Sequence, residues 1–371
     1  MRRSLIVTDS LVWTAETEYA VTVADAESGM GASVTFAAPA GSPARGRLGE
    51  GVEFLALPGA SPSSSIADFV ADARLLSGLV LRGGYDVVHS SRPTAHVLAA
   101  LACGARVPLV HLRGSASAPS RHAGNRFLYR RATAAVVTSS SGVRRWVEER
   151  LGVPAERVHR LLAPVAPSWF EPAARRSDIV DELGLPRDVP IVLNVARLAP
   201  VKGHGVLLDA IARVVAAGTD VVLLLVGEPW SGQPEGLRDR ARRLGIENTV
   251  FFAGRREDVR ELVDASAVCV TSSIGSEENS RAVAEYMAAG RPVVASGVGV
   301  IPELVVDGET GFVVPPGDPS RMSGAIQRLL DDNGLARRMG EAGREVARSL
   351  LSPDAFVRGL ESALRSAGAG R

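Results

Sequence analysis

The chain has 371 residues, of which 46% are hydrophobic and 22% are charged, with 38 glycines and 22 prolines. This balance is typical of a folded globular protein and excludes a disordered or collagen-like chain, and the length predicts two domains. The formal net charge of +1 excludes a global field for nucleic acid or an anionic membrane, so any anion site has to be local.

The cysteine and histidine positions exclude two further kinds of site. Cys103 and Cys269 lie in separate apolar runs, which predicts buried thiols rather than a disulfide framework or a zinc site. The six histidines lack metal-ligand spacing, so we expect no metal. Near the amino terminus, the apolar run 5–8 is too short for a signal sequence or a membrane span, so we expect a cytoplasmic protein.

Short β-branched runs alternate with amphipathic segments along the first half of the chain. The predicted strands are 5–8, 33–37, 52–57, 86–89, 107–111 and 134–138, with helical segments between them such as 66–81 and 95–102. Strands separated by helices of this length predict right-handed crossovers and a parallel sheet that is covered on both faces.

A proline-rich stretch interrupts this alternation, which then resumes. The predicted strands are 191–196, 221–226, 249–252, 267–271, 292–295 and 311–314, and the predicted helices are 206–217, 236–244, 259–265, 282–289 and 355–366. The sequence therefore predicts an α/β protein with two tandem Rossmann-like, doubly wound domains. We expect an amino-terminal domain over 1–165, a linker over 166–188, a carboxy-terminal domain over 189–352, and a last helix within 353–371 that crosses back to the first domain.

The only lysine of the chain is Lys202, against 41 arginines. It shares a predicted strand-to-helix loop with Arg197, at the carboxyl end of a strand, where open α/β sheets bind ligands. The planar fork of an arginine and the mobile charge of a lysine together suit a diphosphate. A solvated basic loop is the alternative, but the position of the single lysine favours a phosphate site.

Two carboxylates follow the predicted strand 267–271, with Glu277 in the loop and Glu285 inside the next helix. Asn279 or Ser280 can cap that helix, and the two acids would lie about 12 Å apart if the segment were wholly helical. A glycosidase pair needs roughly 5–9.5 Å, so this spacing suits instead a sugar and a ribose with a diphosphate between them at the helix N-terminus. Glu285 alone fits a surface charge, but its neighbours are apolar, so we expect it to have a partner.

Taken together, the motifs of the second half resemble the retaining glycosyltransferases of family 4. They are Arg197-Leu198-x3-Lys202-Gly203, Leu225-Val226-Gly227-Glu228, Val250-Phe251-Phe252-Ala253-Gly254, Glu277-x7-Glu285, Ala288-x-Gly290-x-Pro292-Val293-Val294-Ala295, Ile301-Pro302-Glu303-Leu304 and Asp307-Gly308-x2-Gly311. Each motif alone is weak, but their order and spacing are typical of the family. The resemblance implies the GT-B fold, in which two Rossmann-like domains face a central cleft.

The resemblance also implies an activity and a set of site residues. It implies metal-independent transfer of a sugar from a nucleoside-diphosphate sugar to a hydroxyl acceptor, with retained anomeric configuration and no cofactor besides the donor. The implied catalytic residues are Arg197 and Lys202, which stabilise the departing diphosphate, and Glu277, which holds the sugar. The implied donor-binding residues are Arg197, Lys202, Gly254, Arg255, Glu277, Glu278, Asn279, Ser280 and Glu285.

The first domain departs from the family pattern where the acceptor side is expected. The usual Gly-Gly turn after the first strand is replaced by Trp13-Thr14-Ala15-Glu16, so Thr14 and Ala15 occupy it. Many relatives carry a histidine just after the strand 107–111, where this chain offers His111 and Arg113 instead. These departures predict either a retuned site or a catalytically lapsed protein.

Residues 104–160 contain 11 arginines and three acids, which is the strongest charge asymmetry in the chain. One hypothesis is peripheral contact with an anionic membrane or a lipid-linked acceptor, since a basic residue near such a surface adds about 1 kcal/mol. The alternative is a solvated helix face. Nucleic acid is not expected as a partner because few aromatic residues are interleaved with the arginines.

The function that these patterns predict is a glycosyltransferase of cell-envelope polysaccharide, lipopolysaccharide or glycolipid synthesis, with a specialised metabolite as another possible acceptor. A nucleotide-sugar epimerase of the same fold is an alternative, although its acid and base residues cannot be assigned. A lapsed protein that only binds a nucleotide sugar is the second alternative.

Overall fold

The computed structural model describes residues 1–59, 65–114, 121–172, 177–230, 232–275, 277 and 279–368. The chain divides into two compact units, unit 1 (Met1–Ala163 and Pro353–Arg371) and unit 2 (Pro164–Ser352). Each unit is a parallel sheet covered by helices, so the predicted α/β class with two Rossmann-like domains is confirmed.

The described residues form thirteen strands, most of them short runs of valine, leucine, isoleucine and alanine. They are β1 (Arg3–Thr8), β2 (Ser33–Pro39), β3 (Val52–Leu57), β4 (Val87–Ser91), β5 (Leu109–Arg113), β6 (Ala135–Thr138), β7 (Val158–Arg160), β8 (Ile191–Val195), β9 (Val222–Val226), β10 (Val250–Gly254), β11 (Val268–Thr271), β12 (Val293–Ser296) and β13 (Gly311–Val314). Every predicted strand is present, with ends that move by no more than two residues. The three-residue strand β7 is too short to stand out in the sequence.

The described residues also form fourteen α-helices. They are α1 (Ala15–Gly29), α2 (Ile66–Gly83), α3 (Pro93–Cys103), α4 (Ala123–Phe127), α5 (Ser141–Trp146), α6 (Ser177–Glu182), α7 (His204–Ala216), α8 (Gln233–Arg243), α9 (Val259–Ala265), α10 (Arg281–Ala288), α11 (Ile301–Leu304), α12 (Pro319–Asp331), α13 (Asn333–Leu351) and α14 (Pro353–Ser366). Helix α6 lies inside the stretch 166–188, and that stretch belongs to unit 2.

Within unit 1, the described strands pair in the order β3-β2-β1-β4-β5-β6-β7, and all of the pairs are parallel. Helices α2 and α3 pack on one face of the sheet, and α1 and α14 pack on the other. The α14 contact includes a T-shaped pair of the Phe356 and Tyr19 rings, with centroids 5.9 Å apart. The last helix therefore completes the core of unit 1.

The sheet of unit 2 has the order β10-β9-β8-β11-β12-β13 over the described strands. Its strands are buried on both faces, as expected of a parallel sheet whose crossovers are helices. Helices α7, α8 and α12 supply much of one apolar core, which also contains side chains from β8, β9 and β11. This rigid layer fixes where the loops at the carboxyl ends of the strands begin.

Candidate active site

Unit 2 has a topological switch point between β8 and β11. From β8 the chain builds outward to β9 and β10 on one side, and it then returns to place β11, β12 and β13 on the other. The loops after β8 and β11 therefore leave the sheet side by side and lead to helices on opposite sides of this point. Open α/β sheets bind their ligands in the crevice at such a point.

Lys202 and Glu277 meet across this switch point. Lys202 Nζ lies 2.5 Å from Glu277 Oε1, and Ser273 Oγ donates a second hydrogen bond of 2.5 Å to the same oxygen. Glu277 is only 7% exposed, and these two donors offset the cost of burying its polar side chain. The sequence predicts Lys202 for the phosphates and Glu277 for the sugar, and the structure brings their charged atoms into direct contact.

The loop that carries Lys202 is docked tightly on the segment after β11. Ser272 Oγ donates a hydrogen bond of 2.9 Å to the backbone oxygen of Lys202, and the backbone nitrogen of Ile274 donates one to Val201. Gly203 has a φ of +66°, and a Cβ atom at this position would clash with the backbone oxygen of Ser272. A glycine is therefore required after the lysine, both for its backbone conformation and for this close approach.

The predicted cap of the next helix is not formed as expected. Helix α10 begins only at Arg281, and Ser280, at the N-cap position with a φ of +30°, makes no capping hydrogen bond through its side chain. Asn279 Oδ1 and Ser280 Oγ are buried without a hydrogen-bond partner in the described part of the chain. Buried polar atoms are normally paired, so these atoms and the helix N-terminus are suited to a polar ligand.

The estimate of 12 Å between the two acids does not apply, because the helix covers only part of the segment that joins them. Glu277 is held outside the helix instead, where its backbone oxygen accepts a hydrogen bond of 2.9 Å from the nitrogen of Val300. A Cβ atom at Gly299 would clash with that same oxygen, so a second glycine permits this packing. Glu278 lies outside the described residues.

The partner expected for Glu285 is Arg281, one helical turn earlier. Arg281 Nε lies 2.7 Å from Glu285 Oε1, and Glu285 is 7% exposed. The next residue, Tyr286, is fully buried, and its hydroxyl accepts a hydrogen bond of 2.8 Å from the nitrogen of Val195. This bond ties α10 to the end of β8. Tyr286 was not among the predicted site residues, although a lone aromatic residue among small apolar neighbours is a usable signal.

Arg197 lies at the start of the β8 loop, before Lys202. Its side chain is exposed, and its guanidinium carbon lies 5.2 Å from the centre of the Trp230 ring, a cation–π contact. Gly254 and the exposed Arg255 lie at the end of β10, two strands away from β8. Among the described residues, no recorded contact joins this pair to Lys202 or Glu277. Gly254 and Arg255 therefore lie at a separate position along the carboxyl ends of the unit 2 strands.

Unit 1 has the same kind of switch point, between β1 and β4. Arg92 Nε, after β4, lies 2.6 Å from Asp9 Oδ1, after β1, and Arg92 Nη1 lies 3.5 Å from Glu16 Oε2. Arg92 has a φ of +81°, which a non-glycine residue rarely adopts and which is concentrated at functional sites. Burial raises the pKa of the Glu16 carboxyl, against the opposing charges of Arg92 and Arg113. Asp9 and Arg92 were not among the predicted site residues.

The predicted acceptor-side residues are spread from surface to core. Thr14 caps α1 by accepting a hydrogen bond of 3.3 Å from the nitrogen of Thr17, and Ala15 is exposed. Arg113 is 3% exposed, and His111 is fully buried with its ring stacked 3.7 Å from that of His96. Burial lowers the pKa of His96 to about 3 and holds the pKa of His111 well below its usual range. Burial therefore favours the neutral form of His111, whose side chain lies inside unit 1.

Among the described residues, no group of three or more histidine, cysteine, aspartate or glutamate side chains is arranged to hold a metal ion. In the same residues, no helix combines the length and apolar character needed to cross a membrane.

Two family models match most of the chain. Residues 17–163 match a glycosyl transferase 4-like domain, and residues 175–346 match the glycosyl transferases group 1. The chain belongs to the family 4 glycosyltransferases. The resemblance predicted from the motifs of unit 2 is thereby confirmed, and unit 1 belongs to the family as well despite its altered turn.

Two sequence relatives and one solved structure illustrate the likeness. The α-D-kanosaminyltransferase of Streptomyces kanamyceticus is 34% identical over 57% of this chain and 55% of its own length. The D-inositol 3-phosphate glycosyltransferase of Streptomyces avermitilis is 37% identical over 47% of this chain and 39% of its own. The crystal structure of Anabaena HepE in complex with UDP has a TM-score of 0.84 at 22% identity, over 99% of this chain and 100% of the other, a similarity of fold. The chain thus spans about half or less of the two transferases' length.

Proposed function

We propose that this protein is a retaining glycosyltransferase that moves a sugar from a nucleoside-diphosphate sugar to a hydroxyl acceptor. The observation that carries the proposal is the contact of Lys202 with Glu277 across the switch point of unit 2, beside the N-terminus of α10. A cation and a carboxylate at one point suit a ligand that is anionic at one end and rich in hydroxyls at the other. The transferase names of the sequence relatives and the UDP bound to HepE support the same function.

Each part of the donor is assigned to residues in the loops at the carboxyl ends of the unit 2 strands. Lys202 and Arg197 bind the two phosphates together with backbone N–H groups at the start of α10. Glu277 accepts hydrogen bonds from the sugar, and Glu285 accepts them from the ribose. The nucleobase lies toward Gly254 and Arg255 at the end of β10. Asn279 and Ser280, whose buried side-chain oxygens have no hydrogen-bond partner among the described residues, complete the turn around the phosphate and sugar.

In the proposed reaction, the main contribution of the protein is to stabilise the negative charge that develops on the leaving diphosphate. The bond from the anomeric carbon to the diphosphate oxygen breaks, and the acceptor hydroxyl attacks from the same face. The acceptor proton passes to the departing diphosphate, so atoms and charge balance without a protein nucleophile. Lys202 and Arg197 stabilise the charge that develops on the diphosphate, and a preorganised contact of this kind is worth roughly 3–4 kcal/mol in many enzymes.

A test of this function needs no knowledge of the acceptor, because water can replace it. The protein is incubated with UDP-, GDP-, ADP- and dTDP-glucose, and proton NMR follows the sugar that is released. We expect release from one donor, with α-glucose appearing first. β-Glucose appearing first would exclude retention, an epimerised sugar would indicate the epimerase alternative, and bound donor without any product would indicate the lapsed alternative.

The variant Glu285→Gln distinguishes binding through the ribose from binding through the phosphates. Removing the charge should weaken nucleoside diphosphate binding by about 1.5–3 kcal/mol, the range for a hydrogen bond to a charged group, and should spare inorganic pyrophosphate. Calorimetric titration with both ligands measures the difference. Arg281→Gln is the matched control, since it breaks the same ion pair from its exposed side. Equal losses for both ligands in Glu285→Gln would assign this acid a structural role.

For the acceptor, we infer an anionic or lipid-linked molecule that is reached at a membrane surface, as in cell-envelope polysaccharide, lipopolysaccharide or glycolipid synthesis. Eight of the 11 arginines in 104–160 are exposed: Arg106, Arg121, Arg126, Arg130, Arg131, Arg145, Arg150 and Arg160. Among them Phe127 is 66% exposed, and α2 and α3 carry further exposed apolar side chains, including Ile66 and Leu101. Exposed basic side chains together with exposed apolar side chains suit peripheral contact with anionic lipid.

Vesicle binding tests this surface. The protein should sediment with vesicles that contain anionic phosphatidylglycerol and much less with neutral phosphatidylcholine vesicles. The double variant Arg126→Ala/Phe127→Ala should lose about fivefold or more in binding, since each basic residue near the surface contributes about 1 kcal/mol. Arg337→Ala, an exposed arginine on α13 of unit 2, is the control and should bind like the wild type. Equal binding to both kinds of vesicle would contradict the inference.

A further inference from the structure

Two adjacent serines at the end of β11 hold the two halves of the candidate donor site. Ser272 and Ser273 follow Thr271, the last residue of that strand, and both are buried. Their hydroxyl groups donate to different partners: Ser272 donates to the backbone of Lys202, and Ser273 donates to the carboxylate of Glu277. Neither serine belongs to the motifs that carry the family resemblance.

We propose that Ser272 positions the diphosphate-binding loop and that Ser273 positions the sugar-binding acid, so that neighbouring residues serve different parts of one ligand. The proposal rests on the function proposed above. Both serines are positioning residues, because each acts through another side chain or loop rather than on the donor.

The hydrogen bond from Ser272 fixes the position of the Lys202 backbone. Its hydroxyl donates 2.9 Å to the Lys202 backbone oxygen, while its own backbone oxygen lies so close to Gly203 that a Cβ atom would not fit there. Ser272 thus lies against two consecutive residues of the β8 loop, Lys202 through its hydroxyl group and Gly203 through its backbone oxygen. Losing the hydroxyl frees the backbone of the lysine that reaches for the phosphates.

Ser273 acts on the rotamer of Glu277. In the described part of the chain, the recorded hydrogen bonds of this carboxylate both end on Oε1, one from Lys202 and one from Ser273. This arrangement leaves Oε2 to accept from sugar hydroxyls. Because the lysine must also serve the diphosphate, the neutral serine is the donor that holds the acid in place when the lysine turns toward its other ligand.

Calorimetric titrations with UDP, GDP, ADP and dTDP and with their glucose conjugates test both assignments. Ser273→Ala should raise the Kd of the nucleotide sugar about tenfold and leave the Kd of the nucleoside diphosphate unchanged. Ser272→Ala should raise both constants by a similar factor. The ratio of the two constants therefore distinguishes the serines, and a general loss of structure would not move it in one variant only.

Two further variants keep the test interpretable. Ser266→Ala removes another buried serine hydroxyl of unit 2, one that donates 2.6 Å to the Leu262 backbone oxygen, and it should leave both constants unchanged. Ser273→Thr keeps a hydroxyl group and should restore the wild-type ratio. If the wild type binds and Ser273→Ala changes both constants equally or neither, the proposal is wrong while the proposed function stands. A wild type that binds none of the ligands overturns both.

Discussion

Lys202→Ala is expected to weaken nucleoside diphosphate binding by about 1.5–3 kcal/mol, the range for a hydrogen bond to a charged group. The expectation follows from the position of the only lysine in the chain, at the switch point of unit 2 and 2.5 Å from Glu277. Turnover should fall further than binding, by about 10²–10³-fold, if the same charge stabilises the departing diphosphate. Titration of the diphosphate and the rate of donor hydrolysis measure the two effects.

The alanine variant also leaves Glu277 without its cationic partner, so a matched variant is needed. Lys202→Arg keeps the charge but replaces a mobile ammonium by a planar fork, and it should retain part of the affinity. The double variant Lys202→Ala/Glu277→Gln removes the unpaired carboxylate and should recover stability without recovering affinity. Unchanged affinity for every diphosphate in Lys202→Ala would remove this lysine from the site.

Gly203→Ala is expected to destabilise the protein by roughly 2–6 kcal/mol, because a left-handed backbone and an overpacked site cost about 1–3 kcal/mol each. At this position φ is +66°, and the new Cβ atom would clash with the backbone oxygen of Ser272. The clash involves backbone on both sides, so a side-chain rotation cannot relieve it. Urea unfolding gives the free energy, and loss of nucleotide binding is expected with it because Lys202 precedes this glycine.

Gly245→Ala is the matched control for the backbone term. Gly245 has nearly the same φ, +69°, but a Cβ atom there would have nothing within 4 Å. Its substitution should therefore cost only about 1–2 kcal/mol and leave nucleotide binding unchanged. Equal losses in the two variants would show that backbone strain alone acts at Gly203 and that the docking of the β8 loop on Ser272 contributes nothing.

The sheets were predictable because parallel strands are buried on both faces and appear as uninterrupted apolar runs. β3 and β13 have the predicted bounds, whereas the three residues of β7 carry too little pattern to be found. The pairing of Glu285 could also be anticipated, since a buried acid needs a partner and Arg281 lies one turn away. Local periodicity and charge are enough for features of this kind.

Features that depend on loop geometry could not be predicted. The contact of Lys202 with Glu277 joins residues 75 positions apart, and it follows from strand order rather than from spacing. Ser280 has the residue type of a helix cap, yet its left-handed backbone places it without a capping hydrogen bond. His111 has the residue type of a site residue, but β5 turns it into the core. Arg92 gives no sign of its positive φ in the sequence.

Thermal unfolding against a panel of UDP, GDP, ADP, dTDP and CMP, run on the wild type and on Lys202→Ala, tests the central claim most directly. A ligand at 100 times its Kd adds about 2.7 kcal/mol to the free energy of unfolding. We predict a selective upward shift of the wild-type midpoint by one nucleoside diphosphate, and a smaller shift or none in the variant. Equal shifts in both proteins, or no shift of the wild type with any nucleotide, would contradict a donor site built on Lys202.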